Sequence, residues 1–212
     1  MSLRTIIGVS VTNNETENNR QIEGLRKILD DPEPQDIIMV GNELSLANVD
    51  LEIFLKNIDL VRDAVLQKGL EIPIGTVEIY GGGIDHEALE KLDIIGINAY
   101  PAVWDSTEYS VAAKKLDEYF KTGKEQFSEK AVLLTETGAA YAGGKYWVEN
   151  GRVKKESPSK ETATSYLEGF LQWSKKKEIP SFYFQAFLQP AKSFGEGHPM
   201  EQYFGLIDGE TM

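Results

Sequence analysis

The sequence predicts an α/β fold with a parallel sheet, and three observations lead there. Runs of β-branched and apolar residues alternate along the chain with apolar residues at helical spacing. The run Ile37-Ile38-Met39-Val40 is apolar on both faces, as a strand is when helices cover its sheet. Two such runs end abruptly in a carboxylate, at Glu43 and at Glu136. In parallel α/β folds the chemistry sits at the C-terminal ends of strands, so two strands each delivering a Glu to one rim suggest a paired-carboxylate site.

Each element follows from its residues. Arg4 to Val11 is expected as the first strand, and the polar stretch Asn13 to Asn19 leads into a helix with Ile22, Leu25, Ile28 and Leu29 as its stripe. Asp31-Pro32-Glu33-Pro34 ends it, because proline cannot continue a helix. The strand that closes in Gly41-Asn42-Glu43 comes next. Leu51, Phe54, Leu55, Ile58, Val61 and Val65 then recur at helical spacing, from an Asp50 cap to a Gly69 stop. Ile72 to Ile79 is the expected third strand, followed by the turn Gly81-Gly82-Gly83 and a short helix at Glu87 to Lys91. Asp93 to Pro101 forms the fourth, Val111 to Phe127 a helix, and Ala131 to Gly138 the fifth. After a loop rich in Gly, Tyr and Trp, Ser157-Pro158 is expected to start a helix with Ala163, Leu167, Phe170, Leu171 and Ser174 inward. Phe182 to Phe187 completes the alternation, and a tail runs from Glu201 to Met212.

A closed (β/α)₈ barrel uses eight units and typically about 250 residues. This chain has 212 residues and shows six strand runs with five helices. The expectation is therefore one barrel-type domain over residues 1–212, incomplete, with two units missing. An open doubly wound sheet is the other architecture the pattern permits. Polar residues that end several separate strands favour the barrel.

Composition narrows the function classes. A hydrophobic share of 41% and a charged share of 26% are those of a globular chain rather than a disordered one. The net charge of -12 speaks against nucleic acid and against an anionic membrane surface as partners. With no cysteine there is no disulfide, thiolate metal site or Cys nucleophile. No apolar run approaches a membrane span, and no signal peptide is visible. His86 and His198 lie in no ligand spacing, so no metal is expected. The glycine turn lacks the Lys and Ser/Thr of a phosphate loop, so no cofactor is expected. There is no Gly-x-Ser-x-Gly elbow either.

Four motifs then share an order with a known family. Val40-Gly41-Asn42-Glu43, Ile97-Asn98-Ala99-Tyr100-Pro101, Thr135-Glu136-Thr137-Gly138 and Met200-Glu201-Gln202-Tyr203-Phe204-Gly205-Leu206 resemble those of glycoside hydrolase family 17. The resemblance implies a (β/α)₈ barrel that hydrolyses or transfers β-1,3-glucan by a retaining mechanism, mostly outside the cytoplasm. It makes Glu43 the acid/base and Glu136 the nucleophile. It also has Asn42 bind the sugar 2-hydroxyl, Tyr100 orient the nucleophile, and Lys192 and Glu201 support the centre. Asn98 belongs to the same rim. The chain departs from the family at Ala139-Ala140, where Trp-Pro is usual, and at Gln189, where an acidic residue is usual. Its first strand aligns with the family's third.

The chemistry is consistent with the motifs. Retaining cleavage uses two carboxyls about 5–5.5 Å apart, one protonated and one ionised. Trp104, Tyr146 and Trp147 fall in rim loops, where aromatic faces stack on pyranose rings, and Glu78 lies near a strand end with a role toward rim or packing equally open. The expected partner is a β-glucan or oligosaccharide. The competing expectation is a catalytically silent glucan-binding module, its open barrel edge covered by a second copy in a homo-oligomer.

Overall fold

The computed structural model describes residues 5–31, 35–104, 109–143, 158–189 and 199–207. Two compact units emerge, Met1–Asn98 with Glu125–Leu133 and Ala99–Lys124 with Leu134–Met212. The first unit runs β1 (Ile6–Val9), α1 (Glu15–Ile28), β2 (Ile37–Asn42), α2 (Leu44–Ala47), α3 (Leu51–Gln67), β3 (Ile74–Ile79), α4 (His86–Lys91) and β4 (Ile94–Asn98). Strand β5 (Ala131–Glu136) begins in the first unit and ends in the second. The sheet order is β1-β2-β3-β4-β5, each strand beside the next in sequence, and the first three pairings are parallel. No helix among the described residues is long and apolar enough to cross a membrane.

Helix α1 forms because Asn14 caps it, accepting from the backbone N–H of Thr16 and Glu17, and because Ile22, Leu25 and Leu29 turn to one side. Ile28, expected on that stripe, is 42% exposed. In α3 the buried residues are Phe54, Asn57, Ile58, Val61, Ala64 and Val65, whereas Leu51 of the expected stripe is 37% exposed, and Gly69 ends the helix at φ 66°. Ile38 and Val40 of β2 are fully buried, while Met39 joins Val77 and Leu133 in a separate cluster against Ile6, Ile37 and Ile94. Both faces of the strand are thus covered, as the unbroken apolar run requires. A Cβ on Gly75 would meet the Ile94 carbonyl oxygen at 2.4 Å, so only glycine lets β3 and β4 approach there.

The second unit contains α5 (Pro101–Trp104), most of α6 (Tyr109–Gln126), α7 (Lys160–Lys177) and a 3₁₀ turn at Pro199–Tyr203. Its core joins Tyr100, Ala112, Ala139, Ala140, Tyr166, Met200 and Phe204. Helix α7 starts later than Ser157-Pro158 would have it. Ser159 caps it in a reciprocal capping box with Thr162. Its inward stripe is Tyr166, Phe170 and Trp173, which leaves Leu171 55% exposed. Phe170 was expected there, and Tyr166 and Trp173 complete the face because large aromatics bury more area per residue.

The sixth run does not become a regular strand. Ser181 makes an isolated parallel bridge to Leu134, and Phe187 another to Ile207. The backbone bonds of the run are split between two partners. Phe184 N–H donates to the Thr137 carbonyl, whereas Leu206 N–H and Ile207 N–H donate to Gln185 and Ala186. The short segments α2, α5 and the 3₁₀ turn follow strand ends or loops and carry no apolar period long enough to announce them.

Candidate active site

In the first unit, β2 delivers Glu43 through an unusual backbone. Gly41 has φ 79°, and Glu43 itself lies in the left-handed region at φ 51°, ψ 45°. A non-glycine residue held there costs roughly 1–3 kcal/mol and persists only where its surroundings enforce it. Those surroundings are visible. Glu43 N–H donates to the Val77 carbonyl at 2.9 Å, and its own carbonyl accepts from Leu46 and Ala47 as α2 begins. The pairing of β2 with β3 shifts register between Met39 and Asn42, so the chain bulges just before the carboxylate. Asn98, fully buried at the end of β4, donates from Nδ2 to Glu43 Oε1 at 2.9 Å and to Asn42 Oδ1 at 3.1 Å. One buried amide thereby orients two neighbouring side chains. The donor to Glu43 is an uncharged amide, so the contact is not an ion pair.

In the second unit, Glu136 closes β5. The Tyr100 hydroxyl donates to Glu136 Oε2 at 2.6 Å, within the range of a charge-assisted bond. Tyr100 is held in place by edge-on packing against Phe184 and Phe204, with ring centroids at 6.1 and 5.8 Å. The Glu136 carbonyl accepts from Ala99 N–H at 2.9 Å. Thr137, fully buried, shares a 2.5 Å hydrogen bond with the equally buried Tyr166 hydroxyl. A Cβ on Gly138 would stand 2.2 Å from the Phe184 carbonyl oxygen, so the Glu-Thr-Gly ending needs its glycine for space. Ala139 and Ala140, at the family's Trp-Pro positions, are buried.

The other expected site residues are placed diversely. Asn42 is exposed and Gln189 is exposed, while Glu201 sits half-buried in the 3₁₀ turn. Trp104 ends α5. Tyr146, Trp147 and Lys192 lie outside the described residues. Glu78 is 3% exposed, and its carboxylate is turned onto Ser45. Ser45 itself was not anticipated. Its only signal in the sequence is that it stands two residues after Glu43.

A family model described as the BtgE/BtgC glycoside hydrolase domain matches residues 1–205. The chain belongs to this glycoside hydrolase family. Two curated relatives, the probable glucan endo-1,3-beta-glucosidases btgC of Aspergillus flavus and of Aspergillus oryzae, are 24% identical over 204 residues. The match takes in 90% of this chain and 30% of each relative, so the chain spans less than a third of their length. Among solved structures, the family 17 β-1,3-glucanosyltransferase of Rhizomucor miehei is similar at a TM-score of 0.80 and 24% identity, over 98% of this chain and 73% of that one. An endo-laminarinase from Formosa is similar at 0.76 and 16% identity, over 98% and 67%. These likenesses bear out the expected fold class, an α/β fold of the type found in family 17 glycosidases, and the family resemblance read from the four motifs.

Proposed function

We propose that this chain is a retaining glycosidase or transglycosylase acting on β-1,3-glucan, its 212 residues working as one barrel-type domain, with Glu43 as acid/base and Glu136 as nucleophile. The observation that carries the reading is that Glu43 directly follows β2 and Glu136 closes β5, each held within its own unit by a dedicated uncharged donor, Asn98 for the first and Tyr100 for the second. The family and the activities named for its Aspergillus and Rhizomucor relatives support the substrate class.

In this reading the ionised Glu136 carboxylate attacks the anomeric carbon. The bond to the leaving oxygen breaks, and that oxygen takes the proton of Glu43. A glycosyl–enzyme ester results. Glu43, now a carboxylate, takes a proton from water, or from a sugar hydroxyl when the enzyme transfers, and the new nucleophile releases Glu136. The mechanism requires the two carboxyls to come within about 5–5.5 Å. Tyr100 keeps a proton directed at Glu136, which suits the anion that must attack. Asn42, exposed beside Glu43, is the residue proposed to meet the sugar 2-hydroxyl.

The test is reducing-end release from laminari-oligosaccharides by this chain and by its Glu136→Gln variant. Release by the parent that disappears in the variant is the expected outcome. Equal release by both would remove Glu136 as nucleophile. A folded parent that binds the oligosaccharide without turnover would make the chain a glucan-binding module instead.

A further inference from the structure

Resting on that reading of Glu43, we infer that Glu78 is a positioning residue for the proton donor, acting through Ser45. Glu78 belongs to β3 and is 3% exposed, yet it is a carboxylate. A buried carboxyl group is costly unless hydrogen bonds replace water. Here three do. Oε1 accepts from the Ser45 hydroxyl at 2.6 Å and from Ile79 N–H at 2.8 Å, and Oε2 accepts from Ser45 N–H at 3.2 Å. Two of the three thus come from one residue, the second of the four-residue turn α2, which starts immediately after Glu43.

That turn needs an anchor. It has no side-chain cap and no buried residue, and left-handed residues flank it at Glu43 and Asn48. Leu44 lies half-buried against Gly41, and the remaining hold on the unit is polar. Glu78 grips it by backbone and side chain at once, as an apolar residue of similar volume cannot. The grip is itself fixed, because a Cβ on Gly82 would stand 2.7–2.9 Å from the Glu78 side chain, so the glycine turn closes directly over the carboxylate. Val77, next to Glu78 in β3, accepts the Glu43 N–H at 2.9 Å. Consecutive residues of one strand hence hold the backbone of Glu43 and the turn that follows it. When Ser45 lets go, the left-handed conformation of Glu43 loses one of its two restraints on that side, and the carboxyl drifts from the leaving oxygen.

The experiment separates proton donation from general loss of structure. Laminari-oligosaccharides have a poor leaving group that needs a proton, whereas dinitrophenyl β-laminaribioside has a leaving group that needs none. The first half-reaction is read as kcat/KM on the former and as the dinitrophenolate burst rate on the latter, for the parent, Ser45→Ala, Ser45→Thr, Glu78→Gln and Glu43→Gln. Ser45 is exposed, and a melting curve for each variant checks that it folds. The expected result is that Ser45→Ala and Glu78→Gln lose about tenfold or more on the oligosaccharide, a part of what a general acid supplies, with KM little changed. Their burst rates stay within about twofold of the parent, since the burst bypasses the proton, and Ser45→Thr restores turnover. If Glu43→Gln shows this leaving-group dependence but Ser45→Ala and Glu78→Gln lose rate on both substrates equally, or on neither, the positioning role is overturned and the proposed function stands. If Glu43→Gln shows no such dependence, or the parent turns over neither substrate, the proposed function fails first and the positioning role falls with it.

Discussion

Tyr100 shows how one atom can tie a motif to the chemistry proposed for it. Its hydroxyl sits 2.6 Å from Glu136, and its ring is clamped by Phe184 and Phe204. Tyr100→Phe keeps the ring packing and removes only the donor. A hydrogen bond to a charged group contributes about 1.5–3 kcal/mol, so kcat on laminari-oligosaccharides should fall roughly 10- to 100-fold with the melting temperature little changed. An unchanged kcat would detach Tyr100 from the nucleophile. Tyr183, on the neighbouring run, is the opposite case. Burial pushes its phenol up to about 12 from 10.0, against a smaller pull from the Ala139 backbone. With a raised folded pKa, the stability this group contributes is fully present below pH 10 and is lost as the pH rises toward 12. Urea midpoints measured from pH 8 to pH 11.5 should therefore fall on the alkaline limb for the parent and flatten in Tyr183→Phe.

At the scale of elements, α6 and α7 are joined by a polar clasp as well as by packing. Asp117 accepts from Trp173 Nε1 at 2.9 Å and pairs with Lys177 at 2.8 Å. The hydrogen bond from Lys177, then that from Trp173, holds the Asp117 carboxyl below its ordinary value of 3.8. A depressed folded pKa means stability that is present above 3.8 and lost as the pH falls through the folded value. Asp117→Asn should accordingly be less stable than the parent at pH 7, with the gap closing below about pH 4. A gap that does not depend on pH would show that the clasp acts through shape alone. The site is exposed, so the gap should be small, in the range of surface ion pairs. The apolar part of the same contact is tighter, since a Cβ on Gly169 would lie 2.6 Å from the Ala113 Cβ.

For the molecule as a whole, 34 acidic residues face 22 basic ones. The resulting charge of -12 repels anions, but it exerts no long-range pull on a neutral polymer. Turnover of laminari-oligosaccharides should thus show a kcat/KM that is nearly flat between low and moderate ionic strength. A steep fall with salt would mean that a charged ligand is being steered, and that the glucan reading is incomplete.

The alternation of strand runs and helices, the apolar stripes of α1 and α3 apart from Ile28 and Leu51, and the two glutamates that close strand runs were all legible in the sequence. They arise from period, branching and punctuation, which are local properties. The four motifs pointed to the family on the same local grounds. Other features depended on partners distant in the chain. Phe182 to Phe187 looks like a strand, but its backbone bonds divide between residues 134–137 and 204–207, so it pairs only in isolated bridges. Leu171, expected inward on α7, is 55% exposed because Tyr166, Phe170 and Trp173 take the face that packs on α6 and the core. Glu78 could have faced either way, and burial against Ser45 settled it. The sequence by itself determined which residues form strands and helices and which carboxylates end them, because nearest-neighbour chemistry sets both. Only the tertiary structure decided which donors hold those carboxylates, because Asn98 reaches Glu43 and Tyr100 reaches Glu136 across gaps in sequence that no local pattern encodes.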